Sequence, residues 1–369
     1  MTSLNAFPGA AFGPIGSDWS DSGPRPGGRL FRADLHVHSR FSGPGHFGGV
    51  GARAGAGEPE EIARVARARG LDLVTLTDLN TIEGCLRLLE RAGEARDIIV
   101  SEEATAFHPR FGGPVHVLLY GLTEAHHGEI QRLRGDVREL AGYARAHGIP
   151  AALSPVVGGP AAGVWAADGA EEVLDLFTLF EARNGLLGRP RNELAARRAQ
   201  RAAGAGRRAG LTGGSGAHGP ARVGRTVTVS TAGTPDQFLA DLREGRTWAS
   251  GELGGFRSGA MDLSRLIAAG YHGLLAGDEP GGGRDLRGAA RMLLALPLDA
   301  LGAPLWGHGL RSARAGVHVR QARRRLDRQD LTRFQARART LAPAHPSGAP
   351  APYGCAGGPA RSFESPGLT

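Results

Sequence analysis

The sequence predicts an α/β fold for residues 29–250, and a closed (β/α) barrel accounts best for its pattern. Short apolar runs alternate with amphipathic stretches typical of helices. The apolar runs are continuous, as in strands buried on both faces of a mainly parallel sheet. About seven such runs occur, which suits a closed barrel better than a small open sheet. The 369-residue chain exceeds the ~250 residues of a typical barrel.

The predicted strands follow one another with helices between them. In chain order they are RLFRADLHV (29–37), LDLVTLTD (71–78), DIIVSEEA (97–104), VHVLLYGL (115–122), IPAALSP (149–155), FTLFEARN (177–184) and AGLTGGSGAH (209–218). The predicted helices cover residues 58–70, 129–148, 191–206 and 234–245. The first of these helices starts with acidic residues and ends at Gly70, and the second ends at Gly148, as expected of helix termini.

The regions outside residues 29–250 have a different composition. Residues 1–28 are rich in Gly, Pro and Ser and are predicted to be a disordered leader, and residues 342–369 a disordered tail. Residues 251–341 are predicted to form a helical, basic extension. No apolar run reaches 18 residues and no signal peptide is recognisable, so we expect a cytoplasmic protein without a transmembrane helix.

The strong positive charge has a simple compositional explanation. The net charge is +8, yet lysine is absent and arginines are spread along the whole chain. This spread indicates a compositional bias rather than a basic binding face, so the sequence predicts no clear nucleic-acid partner. The exception is residues 285–340, where apolar helical segments precede an arginine-rich helix. We expect this region to contact either a membrane surface or another subunit.

Residues with metal-binding side chains recur where the predicted strands end. His36 and His38 are two residues apart in a strand, so both side chains point to the same face. The carboxyl ends of barrel strands carry the active sites of such folds. Asp78, Glu103 and His218 also stand at or near strand ends. Imidazoles and carboxylates gathered at one place predict a metal site, because unpartnered buried carboxylates are costly.

Six motifs in fixed order resemble the PHP (polymerase and histidinol phosphatase) family. They are DLHVHS, LVTLTD, SEEAT, VHVLLYG, EARNG and GGSGAH, and they extend over roughly residues 30–250. The resemblance implies a distorted seven-stranded (β/α) barrel, divalent metals at the carboxyl ends of the strands and hydrolysis of phosphoesters. A phosphorylated small molecule or a nucleotide is then the expected substrate, and one or two Zn, Mn or Fe ions are the expected cofactors.

The resemblance also assigns residue roles. The implied metal ligands are His36, His38, Glu103 and His116. Glu102 faces the other side of its strand and is expected to be structural. The implied catalytic residues are Asp78, which would complete or orient the cluster, and His218, which would face the substrate phosphate.

Arg183 and Asn184 stand at the end of a predicted strand and have two interpretations. An arginine fork suits phosphate binding, so the pair is one candidate for contact with a substrate phosphate. The alternative is a simple turn, because Asn followed by Gly is a common turn sequence.

Four positions depart from the family pattern. Leu79, Ser154 and Gly216 stand where the family usually has histidine, histidine and aspartate, and Gly43 stands where an aspartate is frequent. Two hypotheses remain open. The chain is either a phosphoesterase with a reduced metal site or a degenerate, non-catalytic barrel that serves as a binding or regulatory module.

Overall fold

The computed structural model describes residues 29–43, 55–93, 95–110, 114–155, 169–204, 209–276, 294 and 302–341. The chain divides into two compact units, residues 1–323 and 324–369. The first unit contains all the strands and most of the helices. The predicted leader (1–28) and tail (342–369) lie outside the described residues, as does much of residues 285–301.

Eight strands and nine helices make up the described structure. The strands are β1 (Phe31–Ala33), β2 (Ser101–Phe107), β3 (Pro114–Tyr120), β4 (Ala151–Leu153), β5 (Leu179–Asn184), β6 (Gly210–Gly214), β7 (Thr226–Ser230) and β8 (Trp248–Gly251). The helices are α1 (Pro59–Ala68), α2 (Glu83–Ala92), α3 (Glu124–Leu133), α4 (Val137–Ala146), α5 (Gly169–Leu176), α6 (Arg189–Gly204), α7 (Pro235–Glu244), α8 (Phe256–Ala276) and α9 (Ala303–Leu341).

The strands form two sheets, so the predicted mixed α/β class is confirmed. The larger sheet has the order β2-β3-β4-β5-β6 and the smaller one the order β1-β7-β8. Isolated parallel bridges connect residues of the two sheets through the segment 73–79: Ala33 pairs with Leu73, and Leu79 pairs with Glu103. A further parallel bridge joins Val37 to Ala217. The number of strands in a closed barrel stays a prediction.

The expected mainly parallel pairing is wrong for half of the larger sheet. β2 pairs with β3 and β3 with β4 in antiparallel register, whereas β4–β5 and β5–β6 are parallel. Only residues 108–113 connect β2 to β3. A connection this short can only reverse the chain, because a parallel crossover needs a dozen residues or more.

Three further expectations differ from the structure. The helix predicted over residues 129–148 is two helices, because Asp136 caps α4 by accepting a hydrogen bond from the backbone N–H of Arg138. The segment 71–78 contributes bridges rather than a regular strand. β7 and β8, which the sequence pattern did not single out, pair with each other and with β1.

A buried apolar cluster lies beneath the candidate site. On β3, His116, Leu118 and Tyr120 share one face because side chains alternate along a strand. Leu118 and Tyr120 pack in a cluster with Leu35 and with Phe238 of α7. This packing fixes the strands at one end and leaves the polar side chains together at the other.

The C-terminal part of the described chain is helical, and the boundaries of the predicted extension (251–341) stay a prediction. α8 and α9 account for it, and α9 extends over 39 residues. None of the described helices is both long and apolar enough to cross a membrane. The cytoplasmic location stays a prediction.

Candidate metal centre

The Nε2 atoms of two buried histidines, His36 and His38, lie close together. His36 and His38 follow β1 and flank Val37, whose backbone carbonyl accepts a hydrogen bond from the N–H of Thr77. The backbone N–H of His38 donates to the carbonyl of Ala217, so neighbouring segments hold this stretch on both sides. The two Nε2 atoms lie 3.2 Å apart, and both side chains are buried.

Glu103 on β2 completes a triangle of donor atoms. Its Oε2 lies 3.4 Å from Nε2 of His36 and 3.3 Å from Nε2 of His38. A tetrahedral zinc ion with bonds of 2.0–2.1 Å holds its ligand atoms about 3.3 Å apart. The three residues therefore fit a zinc-type centre that leaves one position open. Among the described residues, no other group of three such side chains comes this close together.

The remaining nitrogen of each histidine also has a partner. Nδ1 of His36 lies 2.9 Å from Oε1 of Glu181, and Nδ1 of His38 lies 3.2 Å from Oγ of Ser42. Such contacts fix the ring orientation and place the proton on Nδ1, which leaves Nε2 free to bind a metal. The backbone N–H of Leu79 donates to the same Ser42 hydroxyl and fixes it in turn.

His116 and His218 extend the cluster. Nδ1 of His116 lies 3.0 Å from Oε1 of Glu103, which is the carboxylate oxygen on the side away from the donor triangle. The ring of His218 stacks on His38, with ring centroids 5.0 Å apart and planes 7° from parallel. The structure thus brings five of the predicted site residues together.

The charges of the cluster depend on each other. Burial alone lowers the pKa of His36, but the carboxylates of Glu181 and Glu103 outweigh it and hold that pKa well above its usual value. Burial likewise raises the pKa of Glu103, but His36 and His116 overcome it and hold this pKa well below its usual range. Burial dominates for His38, whose pKa is well below its usual value. The positive charge of a protonated His36 is therefore favoured between the carboxylates of Glu103 and Glu181.

Asp78 lies apart from the donor triangle. Its Oδ1 accepts from the backbone N–H of Ser39 and its Oδ2 from the Ser39 hydroxyl, both at 2.6 Å. Burial raises the pKa of Asp78 to about 7, and the hydrogen bonds of Ser39 oppose that rise. These contacts anchor the segment that carries His38. The catalytic role of Asp78 stays a prediction.

Arg183 and Asn184 are both bonded within the protein. The guanidinium of Arg183 donates to the backbone carbonyl of Gly251. Nδ2 of Asn184 donates to Oε1 of Glu181 at 2.9 Å, and its Oδ1 accepts from the backbone N–H of Leu186 at 2.9 Å. Asn184 thus lies behind the His36 ring. Phosphate binding by this pair stays a prediction.

The backbone leaves no room for a side chain at Gly43, one of the positions that depart from the PHP pattern. A Cβ at Gly43 would lie 2.8 Å from the carbonyl oxygen of Leu79, too close for any side chain without a shift. Leu79 itself is buried. At Ser154, the hydroxyl donates a hydrogen bond to Oε2 of Glu181 at 3.0 Å. Ser154 therefore contacts the carboxylate that holds His36.

A side chain at position 216 is disfavoured for two reasons. Its φ of +59° lies in the left-handed region that residues with a Cβ avoid. A Cβ there would also lie 2.7 Å from Oδ1 of Asn184 and 3.0 Å from Cβ of Leu186. A carboxylate at this position would strain the loop.

Sequence reasoning missed two buried carboxylates. Glu181 lies in the middle of a predicted strand, and the EARN motif was its signal. Asp34 is the other: it accepts from the backbone N–H of Ser215 at 2.8 Å and of Gly224 at 2.7 Å. Its signal in the sequence was the aspartate that opens the DLHVHS motif. Burial of Asp34 raises the pKa of its carboxyl to about 6. Asp34 holds the loop that carries His218.

Comparison with known proteins confirms the family resemblance. Residues 190–247 match the family model described as PHP-associated. An uncharacterized protein of Methanocaldococcus jannaschii is 37% identical over 76 residues, which are 20% of this chain and 44% of that protein. The match thus spans less than half of this curated relative.

Two solved structures overlap more of the chain at lower similarity. An amidohydrolase from Chromobacterium violaceum is 14% identical, covers 57% of this chain and 96% of its own, and gives a TM-score of 0.40. A Bifidobacterium adolescentis protein described as a metal-dependent phosphoesterase is 13% identical, with the same two coverages and a TM-score of 0.35. Both TM-scores are below 0.5, so the family resemblance depends on the motifs and on the PHP-associated match.

Proposed function

The chain is related to the PHP family, and on that premise we propose that it is a metal-dependent phosphoesterase. The observation that carries this proposal is the triangle of Nε2 of His36, Nε2 of His38 and Oε2 of Glu103, with sides of 3.2–3.4 Å. When bound there, a divalent metal supplies a Lewis acid that activates water for attack on a phosphoester.

The protein groups have separate tasks in this proposal. His36, His38 and Glu103 would hold one ion. Oε1 of Glu103 and His116, which lie 3.0 Å apart, would hold a second ion more weakly. His218, stacked on His38, faces the substrate phosphate. Burial of all these side chains keeps bulk water from the site, which strengthens each electrostatic contact.

We also propose that the strands close into the distorted seven-stranded barrel. The parallel bridges Ala33–Leu73, Leu79–Glu103 and Val37–Ala217 support this closure, because they link the two sheets at two places, one on each side of β1. In that arrangement the carboxyl end of β1 lies between the segment 73–79 and the end of β6, which is where the donor triangle lies.

The first experiment measures metal content and hydrolysis together. Protein purified without chelator is analysed for Zn, Mn and Fe, and then assayed on p-nitrophenyl phosphate, bis-p-nitrophenyl phosphate and nucleotides. We expect one or two metal equivalents per chain and hydrolysis of at least one substrate. His38→Ala is expected to lose the metal and at least 100-fold in activity, comparable to removing other essential catalytic groups. His272→Ala, on the exposed surface of α8, is the matched control.

The outcomes separate the two hypotheses. Metal bound by His36, His38 and Glu103 without hydrolysis of any substrate would favour the non-catalytic barrel that acts as a binding or regulatory module. Absence of metal, together with no hydrolysis after addition of Zn²⁺ or Mn²⁺, would refute the phosphoesterase.

A contact surface within residues 285–340 is a separate proposal. Trp306, Leu310 and Val317 of α9 are exposed, and their spacing of four and seven residues places them on one face of the helix. Arg314 and Arg320 are exposed on the same helix. This combination supports contact with an anionic membrane surface or with a second subunit.

A further inference from the structure

We infer that Glu181 is a positioning residue that orients His36 for metal binding and makes it the stronger of the two histidine ligands. The inference rests on the proposed metal-dependent function. It concerns a residue that touches no substrate and does not belong to the donor triangle.

The contact between Glu181 and His36 fixes the orientation of the imidazole ring. Oε1 of Glu181 lies 2.9 Å from Nδ1, while Nε2 of the same ring faces Glu103. A carboxylate only accepts hydrogen bonds, so Nδ1 must carry the proton. Nε2 is then the nitrogen that offers its lone pair to a metal. Rotating the ring by 180° about its Cβ–Cγ bond would put carbon atoms in place of both nitrogens and lose both contacts.

Three groups hold Glu181 in place. Besides His36, the hydroxyl of Ser154 donates to its Oε2 at 3.0 Å and Nδ2 of Asn184 donates to its Oε1 at 2.9 Å. The side chain is 1% exposed. A buried carboxylate with these donors has no freedom to turn away, so its position transfers directly to the His36 ring.

The backbone of β5 explains why Glu181 and Asn184 act on the same ring. The pairing of β5 with β6 shifts register between Glu181 and Arg183. In a regular strand, residues three apart point to opposite faces, whereas a bulge inserts one residue and brings them to the same face. Both side chains therefore reach His36.

The two histidines have unequal partners. Nδ1 of His36 faces a carboxylate, whereas Nδ1 of His38 faces only the hydroxyl of Ser42. A carboxylate partner raises the electron density of the imidazole and therefore its strength as a ligand. We therefore expect more metal affinity to be lost when the partner of His36 is changed than when Ser42 is.

The test replaces Glu181 by its neutral isostere. Glu181→Gln keeps the length and one accepting oxygen, so the fold is retained while the charge is removed. Glu102→Gln is the matched control. Glu102 is equally buried and lies beside a histidine, His127 (3.0 Å), but on the opposite face of β2. Zn²⁺ affinity is measured for each chelator-treated protein by competition with a coloured chelator, and the Co²⁺ absorption spectrum reports coordination.

The expected result is a difference between the two variants. Glu181→Gln should weaken Zn²⁺ binding about 10–100-fold and shift the Co²⁺ bands, as loss of other outer partners of metal-bound histidines does. Glu102→Gln should bind within about 3-fold of the unaltered protein, in line with its distance from the donor triangle. Equal affinities and spectra for unaltered protein and Glu181→Gln would overturn the inference.

A second readout does not depend on metal. In metal-free protein labelled with ¹⁵N-histidine, the Nδ1–H proton of His36 should resonate far downfield, and it is assigned by its absence in His36→Gln. Glu181→Gln should move it upfield and speed its exchange with water, and Glu102→Gln should not. An unchanged resonance in Glu181→Gln would overturn the inference. Failure of the unaltered protein to bind Zn²⁺ would instead refute the proposed function.

Discussion

Replacing Gly216 by alanine is expected to destabilise the protein by about 2–5 kcal/mol. The left-handed φ of +59° costs a residue with a Cβ about 1–2 kcal/mol. The new Cβ would also lie 2.7 Å from Oδ1 of Asn184, and such overpacking costs about 1–3 kcal/mol. Asn184 cannot withdraw freely, because its amide is bonded to Glu181 and to the backbone of Leu186.

Gly219 provides a matched control three residues away. Its φ of −179° is extended backbone that any residue adopts, and no atom lies within 4 Å of a Cβ placed there. Gly219→Ala should therefore change the free energy of unfolding by less than about 1 kcal/mol. Urea unfolding followed by circular dichroism gives both values, with similar m-values expected. A Gly216→Ala protein as stable as Gly219→Ala would refute the reasoning.

The same geometry bears on whether the metal site can be extended. Gly216→Asp would place a carboxylate where the PHP pattern has one. Aspartate tolerates the left-handed region better than alanine, but its Cβ meets the same Asn184 oxygen. We therefore expect no additional metal equivalent in this variant by elemental analysis. A gain of one equivalent with unchanged stability would show that the loop adapts.

Two further predictions concern charge and surface. Because the buried Asp78 has a pKa raised to about 7 from 3.8, its contribution to stability is fully present below pH ~4 and is lost as pH rises towards 7, by at most about 4 kcal/mol. Asp78→Asn, which preserves both Ser39 contacts, should reduce the fall in unfolding free energy between pH 5 and 7.5 in metal-free protein; an identical fall in both proteins would contradict the assignment. Trp306→Ser, at a side chain that is 76% exposed, should leave the unfolding free energy within about 0.5 kcal/mol. It should reduce co-sedimentation with anionic vesicles or the population of dimer, and no change in either would remove Trp306 from the proposed contact surface.

The alternation of side chains along a strand, together with the PHP resemblance that favoured Glu103 over Glu102, predicted the residues of the donor triangle. It placed His36 and His38 on one face, and it separated Glu103 from Glu102, which the structure places against His127 instead. These inferences need only local geometry, because a strand turns its side chains through 180° per residue. They apply to His36 and His38 although both residues lie beyond the end of β1, which covers only three residues.

Glu181 shows where the same rule fails. A register shift follows it in β5, so the period of two does not continue to Asn184. Bulges depend on the pairing with a neighbouring strand and leave little trace in the sequence. The antiparallel direction of β3 was missed for a related reason, since strand pairing is a long-range property. β7 was recognisable in principle, because TVTVS alternates polar and apolar residues.

The geometry supports the one or two metals proposed above rather than a site for three. The segments that carry the donor triangle are interlocked: His38 bonds to Ala217, and the N–H of Glu103 donates to the carbonyl of Asp78. The backbone of Leu79 removes the space for a side chain at Gly43, and the side chains of Asn184 and Leu186 remove it at Gly216. Neither position therefore has room for the carboxylate that the PHP pattern has there.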